Sequence, residues 1–181
     1  MRCTLEDNGF VESSDRKNDW TLLWASSNIK IEVYQCLTYY QKVNHFPRSF
    51  EITRKDCLYK RLSRMQVLHG QRHFAFVPKT YLLPNESSLL ADDLQKEKHR
   101  MWIAKPAASS QGKGIYFITY GSETKTTHRY IASHYVDNPL LINGYKFDLR
   151  IYVAITSINP LRIYMYEEGL VRFATVKYTK N

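Results

Sequence analysis

The chain has 181 residues, of which 44% are hydrophobic and 14% aromatic, with only 7 glycines and 6 prolines. That composition excludes a disordered or low-complexity protein and supports a real core for one full domain or two small ones. Its 26 Lys and Arg against 17 Asp and Glu leave a net charge of +9, dispersed rather than blocked, which favours an acidic partner. Cys3, Cys36 and Cys57 are odd in number and lack CxxC spacing, so they read as reduced thiols of a cytosolic protein.

Residues 1–19 are expected to be a polar tail, neither signal nor transit peptide, and no apolar run approaches the roughly 18 residues of a membrane span. Residues 20–100 read as an N-terminal α/β domain. WTLLW (Trp20–Trp24) suggests a short buried strand, and Tyr34–Val43 fits strand or helix. Pro47 breaks structure, Thr53 is the expected N-cap, and Leu58, Leu62, Met65 and Leu68 recur at helical spacing until Gly70. Lys55, Lys60, Arg61 and Arg64 lie largely off that stripe, as a solvated basic face or a surface for an acidic substrate. HFAFVPKTYLLP (His73–Pro84) reads as a strand and Leu89–Arg100 as a helix.

From residue 101 to 181 the expected structure is largely antiparallel β. Trp102–Lys105, Ile115–Thr119, Tyr130–Val136, Phe147–Thr156, Leu161–Tyr166 and Val171–Tyr178 are rich in Ile, Val, Tyr and Phe. Gly112/Gly114, Gly121-Ser122, Asp137-Asn138-Pro139, Asn143-Gly144, Asn159-Pro160 and Glu168-Gly169 read as the turns between them.

Two stretches could carry chemistry. WIAKPAASSQGKGIYFI (Trp102–Ile118) lacks the spacing of a P-loop. It is either a hairpin with solvated lysines or a loop whose backbone N–H groups approach phosphate, with Lys105 and Lys113 neutralising charge. In NGYKFDLRIYVAI, alternation puts Lys146, Asp148 and Arg150 on one strand face. That face is either an ionic ladder or a polar floor on which Lys146 and Arg150 meet phosphate or carboxylate while Asp148 orients them. Arg172, on a later strand, is a solvated residue or a candidate carboxylate clamp.

With VNHFPRSFEITRKDCLYKRLSRMQ (Val43–Gln66), VPKTYLLP (Val77–Pro84), YVDNPLLINGYKFDLRIYV (Tyr135–Val153) and PLRIYMYEEGLVRFATVKY (Pro160–Tyr178), these stretches resemble the tubulin–tyrosine-ligase-like family, in its glutamylase branch. The resemblance implies an α+β, ATP-grasp-like fold, C-terminally incomplete, with 101–181 as its truncated central portion. It implies a tubulin polyglutamylase using ATP and Mg²⁺. That enzyme activates a glutamate side chain of the tubulin tail as an acylphosphate and joins free L-glutamate to it by an isopeptide bond. The alternative is a truncated, non-catalytic chain that binds ATP or tubulin tails only.

By position, the resemblance makes Lys105, Gln111, Gly112, Ser133, His134, Tyr135, Val136, Lys146 and Asp148 ATP-binding. It gives Lys105 and Arg150 catalytic places and assigns the incoming glutamate's carboxylate to Arg172. Gln111, where some relatives carry Arg, points towards chain extension, and His134 stands where relatives often have Arg. The family's Mg²⁺ ligands are expected beyond Asn181, and cutting the sheet near Tyr178 is expected to expose an unpaired strand edge. The implied partners are tubulin, alpha-tubulin preferred, and microtubules, with no membrane and no nucleic acid. The implied location is the cytoplasm and cytoskeleton, including cilium, basal body or centrosome.

Overall fold

A computed structural model describes residues 1–13, 19–26, 29–124 and 128–179. In chain order these form α1 (Arg2–Asp7), β1 (Leu22–Leu23), α2 (Ile31–Gln35), β2 (Lys42–Val43), α3 (Phe50–Thr53), α4 (Lys55–His69) and α5 (Gln71–Phe74). There follow β3 (Thr80–Leu83), α6 (Ser87–Lys96), β4 (Trp102–Pro106), β5 (Tyr116–Ile118), β6 (Tyr130–His134), β7 (Leu141–Ile142), β8 (Tyr145–Ile158) and β9 (Leu161–Phe173). β1 and β2 pair in parallel. Every other pairing is antiparallel, in a four-stranded sheet ordered β3-β6-β4-β5 and a three-stranded sheet ordered β7-β8-β9. The four-stranded sheet crosses residue 100, because β3 sits beside β6.

The core lies on one face of that sheet. Leu90 and Leu94, one helical turn apart on α6, meet Leu83, Trp102, Ala104, Ile118, Tyr130 and Ala132. Each buried leucine contributes roughly 1.5–3 kcal/mol. Trp102 is 1% exposed, and its ring stacks on Tyr81 at 5.3 Å between centroids. α6 begins where the Glu86 carboxylate accepts the Leu82 N–H at 2.6 Å and the Ser87 hydroxyl donates to the Pro84 carbonyl at 2.7 Å. The helix ends at Lys96, short of the Arg100 expected.

α4 starts at Lys55 with Arg54 as its extended N-cap residue, whereas Thr53 closes α3 and donates its hydroxyl to the Ser49 carbonyl. The acid of the first turn, Asp56, suits the positive end of the helix dipole and is forked by Arg54 at 3.1 and 2.8 Å. Gly70, at φ 84°, ends the helix as expected. Its apolar stripe is not a buried seam: Leu58 and Leu68 are exposed, and Asp56 is the residue of α4 that is buried.

Two readings of the sequence are corrected. His73–Pro84 is not one strand: α5 takes its start, because Gln66 of α4 donates to the Phe74 carbonyl at 2.8 Å, and β3 begins only after Pro78. Glu168-Gly169 is not a turn, and the chain from Leu161 to Phe173 is one strand. Its register slips between the pairs Ile151↔Gly169 and Val153↔Met165, so Tyr166–Glu168 bulge opposite Tyr152. Gly169 is required there by close approach, since an added Cβ would lie 2.6 Å from the Arg150 carbonyl oxygen. The hairpin turn is at Asn159-Pro160, as expected. Asn143 and Gly144, both at positive φ, make the two-residue turn between β7 and β8.

β8 and β9 carry apolar side chains on both faces, and most of them are exposed. Among the described residues β9 has only β8 as a neighbour, so its outer edge is open over 13 residues. A long, flat, apolar edge templates pairing with other chains. Replacing both Val153 and Val171 with Lys should therefore raise soluble yield and delay aggregation on heating, with an unchanged far-UV circular dichroism spectrum. An unchanged aggregation onset would show that the hairpin is not the cause.

Candidate active site

Alternation along β4 divides its residues between two faces. Trp102 and Ala104 join the core against α6, so Ile103 and Lys105 point to the other side. The registers Ile103↔Ser133, Lys105↔Ile131 and Ile103↔Phe117 place these side chains together. Thr80 of β3 extends the row, its hydroxyl 2.9 Å from that of Ser133. Tyr135, one residue past β6, closes the floor with its ring set edge-on to Phe117 at 5.1 Å.

Tyr135 also joins this floor to β8. The Lys146 ammonium donates to its hydroxyl at 3.0 Å and lies 4.6 Å from its ring centroid, with the Tyr178 ring at 5.6 Å on another side. Tyr178 is held by its N–H to the Gly144 carbonyl and its hydroxyl to the Asp137 carbonyl. Burial pushes the Tyr135 phenol up, but the Lys146 ammonium and the Tyr178 hydroxyl outweigh it, so its pKa falls below the ordinary range.

Farther along β8, Asp148 faces Arg172 directly across the ladder. The guanidinium forks the carboxylate, Nε to Oδ1 at 2.7 Å and Nη2 to Oδ2 at 2.8 Å. This pairing holds Asp148 below the usual carboxylate range and Arg172 above its own. Arg150 is exposed on the same face of β8, opposite Leu170. The expected charged face thus exists, and two of its candidate ligand-binding groups neutralise each other.

The loop after β4 turns back through three left-handed residues, Gln111 at φ 58°, Gly112 at 74° and Gly114 at 73°. Gln111 pays for that conformation with a Cβ that glycine lacks. Gly114 is doubly constrained, because an added Cβ would sit 3.0 Å from the Pro106 Cγ. The hydroxyl of Ser109 donates to the Lys113 carbonyl at 3.2 Å and closes the turn.

The segment Ser133–Val136 divides. His134 points to the core side, its ring 4.0 Å from that of Trp102 and its Nδ1 3.2 Å from the Arg100 Nη1. The N–H groups of His134 and Tyr135 are already donated to the carbonyls of Lys79 and Met101, both at 2.9 Å. Val136, 56% exposed, follows the last of these bonds. Sequence reasoning missed Tyr178 and the phenol of Tyr135 as partners of Lys146. It also missed Lys55, which bonds the carbonyls of Pro106 and Ser109. No local signal could have found these, since each partner is distant in sequence.

The donor set fits the phosphates of a nucleotide but not Mg²⁺. Among the described residues no group of three or more His, Cys, Asp or Glu side chains converges on a metal site, and Asp148, the acid of the charged face, is committed to Arg172.

Residues 34–181 match the family described as the Tubulin-tyrosine ligase family. The chain is 46% identical over 178 residues to human "Tubulin polyglutamylase TTLL5", covering 98% of this chain and 14% of that protein. It is 43% identical to mouse "Tubulin monoglutamylase TTLL4", covering 92% of this chain and 14% of that protein. To human "Tubulin polyglutamylase TTLL6" it is 40% identical, covering 99% of this chain and 20% of that protein. The chain thus spans a small part of the curated relatives it matches. Among solved structures it is similar to the C-terminal domain of K. lactis Pby1, described as an ATP-grasp enzyme interacting with the mRNA decapping enzyme Dcp2. That likeness has a TM-score of 0.61 at 20% identity, over 93% of this chain and 52% of that one, and it shows the ATP-grasp fold.

Burial, and then the Arg100 guanidinium, holds the His134 imidazole below its ordinary range, with Lys79 acting in the same sense and Glu97 and Asp93 opposing. The unfolded chain therefore takes up this proton first, and stability rises with pH. The contribution is complete above about pH 6.5 and is lost as pH falls through that value towards the folded pKa. The melting temperature should drop on acidification across this window, and His134→Gln should flatten the slope. An identical slope in the variant would assign the loss to other groups.

Proposed function

The chain belongs to the tubulin-tyrosine ligase family, and from that membership we propose that it is the nucleotide-binding portion of an ATP-dependent tubulin polyglutamylase. The observation that carries this reading is the floor of Lys105, Ser133 and Tyr135, roofed by the left-handed loop Gln111–Gly114 and flanked by Lys146. It offers two cations and a glycine-lined backbone where a polyphosphate needs charge neutralisation.

On this reading the adenine edge meets the Ser133–Val136 segment through backbone groups, chiefly the Val136 N–H, because His134 and Tyr135 have committed theirs. Lys105 and Lys146 hold phosphate oxygens, and Gln111 and Gly112 cover them. A glutamate side chain of the tubulin C-terminal tail, alpha-tubulin preferred, attacks the γ-phosphorus. Its carboxylate oxygen gains a P–O bond while ADP leaves. The free amine of L-glutamate, having lost a proton, then attacks the acyl carbon, forming the isopeptide bond as phosphate departs. A carboxylate is a poor electrophile at neutral pH, and phosphorylation turns its oxygen into a leaving group.

Arg172 is the clamp for the incoming glutamate's carboxylate, which must exchange for Asp148, and Arg150 faces the reacting groups. Gln111 favours chain extension. The substrate places the protein in the cytoplasm on the cytoskeleton, with cilium, basal body or centrosome as its sites, and with microtubules and free L-glutamate as partners. Mg²⁺ serves the reaction through ligands that the described residues do not supply, so no step here is routed through it.

One observation favours a second reading. The described residues lack a converging metal-ligand set, which suits a chain that binds ATP or the tubulin tail without turning over by itself. Titration with ATP separates the readings when combined with incorporation of labelled glutamate into tubulin. Lys105→Ala should weaken ATP binding by ~10-fold or more, the loss of a charge-assisted hydrogen bond. Arg172→Ala should spare ATP binding and abolish glutamate incorporation. ATP binding with no incorporation by the unaltered chain supports the second reading, and no ATP binding at all sinks both.

A further inference from the structure

The loop after β4 is held from outside its own hairpin. Lys55, the first residue of α4, donates to the Ser109 carbonyl at 2.5 Å and to the Pro106 carbonyl at 3.3 Å. Its position is protected by its neighbours. The acid one residue away, Asp56, which could otherwise attract the ammonium, is forked by Arg54 at 3.1 and 2.8 Å. The charge of Lys55 is therefore directed at the loop.

Those two bonds fix more than the carbonyls. The Pro106–Ala107 peptide is gripped at both edges, its oxygen by Lys55 and its N–H by the Arg129 carbonyl at 3.0 Å. In a trans peptide the N–H points opposite to the C=O. Drawing the Ser109 oxygen to α4 therefore turns the Ser110 N–H away from α4, at the entrance to the turn formed by Gln111, Gly112 and Gly114. At the far end the Ser109 hydroxyl pins the Lys113 carbonyl. The loop is closed on itself by Ser109 and set in place by Lys55.

We propose that Lys55 is a positioning residue. It tethers the loop so that the backbone N–H groups of residues 110–114 are presented to the phosphate chain of a nucleotide before the nucleotide arrives. The inference rests on the nucleotide reading above. Preorganisation of this kind lowers the ordering cost of binding, so its loss reads out as loop mobility together with weaker affinity.

The test compares amide hydrogen–deuterium exchange of peptides covering residues 107–114, without nucleotide, with calorimetric titration of the same chain with ATP. Lys55→Met should speed exchange in this segment and weaken ATP binding, each by ~10-fold, as expected for a charged hydrogen bond lost. Exchange in β4 and β6 should stay as in the unaltered chain. Lys55→Arg, which can still donate to both carbonyls, should restore both quantities, and Lys60→Met should disturb neither. Unchanged exchange at 107–114 in folded Lys55→Met overturns the tether, and so does acceleration spread equally over the whole chain. Should Lys55→Met fail to fold, Lys55→Gln decides by the same two readouts. A chain that binds no ATP overturns the nucleotide reading instead, and the exchange comparison, made without nucleotide, tells the two failures apart.

Discussion

Alternation along β4 is the constraint on which the site depends. Trp102 and Ala104 are sealed against α6, and a strand cannot bury both faces with the same residues. Once the tryptophan is in the core, Lys105 must emerge on the opposite side, beside Ile131 and one pair away from Ser133. A slip of one residue would send the lysine into the apolar layer and the tryptophan into the ligand space. Burying an unpaired ammonium there costs several kcal/mol, so the core itself enforces the register that makes the floor. The same alternation explains His134. It shares a face with Tyr130 and Ala132, so its ring packs on Trp102, and only its backbone lies along the ligand side.

The hairpin follows a different rule. Its strands find each other through a long ladder but find no covering layer among the described residues. With no core to enforce a face, polar pairing organises its start. Asp148 and Arg172 meet as direct cross-strand partners, Lys146 is wrapped by Tyr135 and Tyr178, and the backbone of Ala174 and Tyr178 returns to Lys146 and Gly144. The charged residues proposed to bind ligand are thus at present partners of one another.

How much of this was legible in the sequence depends on the range of the forces involved. The strands around Trp102–Ile118, Tyr130–Val136 and Phe147–Thr156 declared themselves through alternation and through the glycine and asparagine turns that bound them, and they are observed within a few residues. The face shared by Lys146, Asp148 and Arg150 followed from period two alone. What stayed hidden was set by tertiary partners. Glu167-Glu168-Gly169 carries turn residues, yet the opposing β8 turns them into a bulge inside one strand. His73–Phe76 has strand composition, yet α4 captures its first residues as helix. Lys55 looked like one more lysine on a basic helix, because nothing local indicates that its ammonium reaches carbonyls 51 and 54 positions away.

The internal pairings at the site raise the question of whether a ligand could displace them. Lys146 gives up one hydrogen bond to a phenol and a cation–π contact, the latter about 0.5–1 kcal/mol at an exposed position. A phosphate oxygen would replace them with a charge-assisted hydrogen bond of about 1.5–3 kcal/mol. The exchange is therefore downhill, and the tyrosines can remain as walls. Asp148 and Arg172 are a stronger geometric match, since the fork is already bidentate. Both are solvent-exposed, however, so water screens their attraction and little is lost on parting. A carboxylate ligand reaching Arg172 would be the same chemical group in the same geometry. What tips the balance is then not the new bond but whatever stabilises Asp148 after it is released, and the nearest cation on its own strand face is Arg150. The three charges form a relay in which a ligand anion takes Arg172 and Asp148 turns to Arg150, which links occupancy of the clamp to the position of the second arginine.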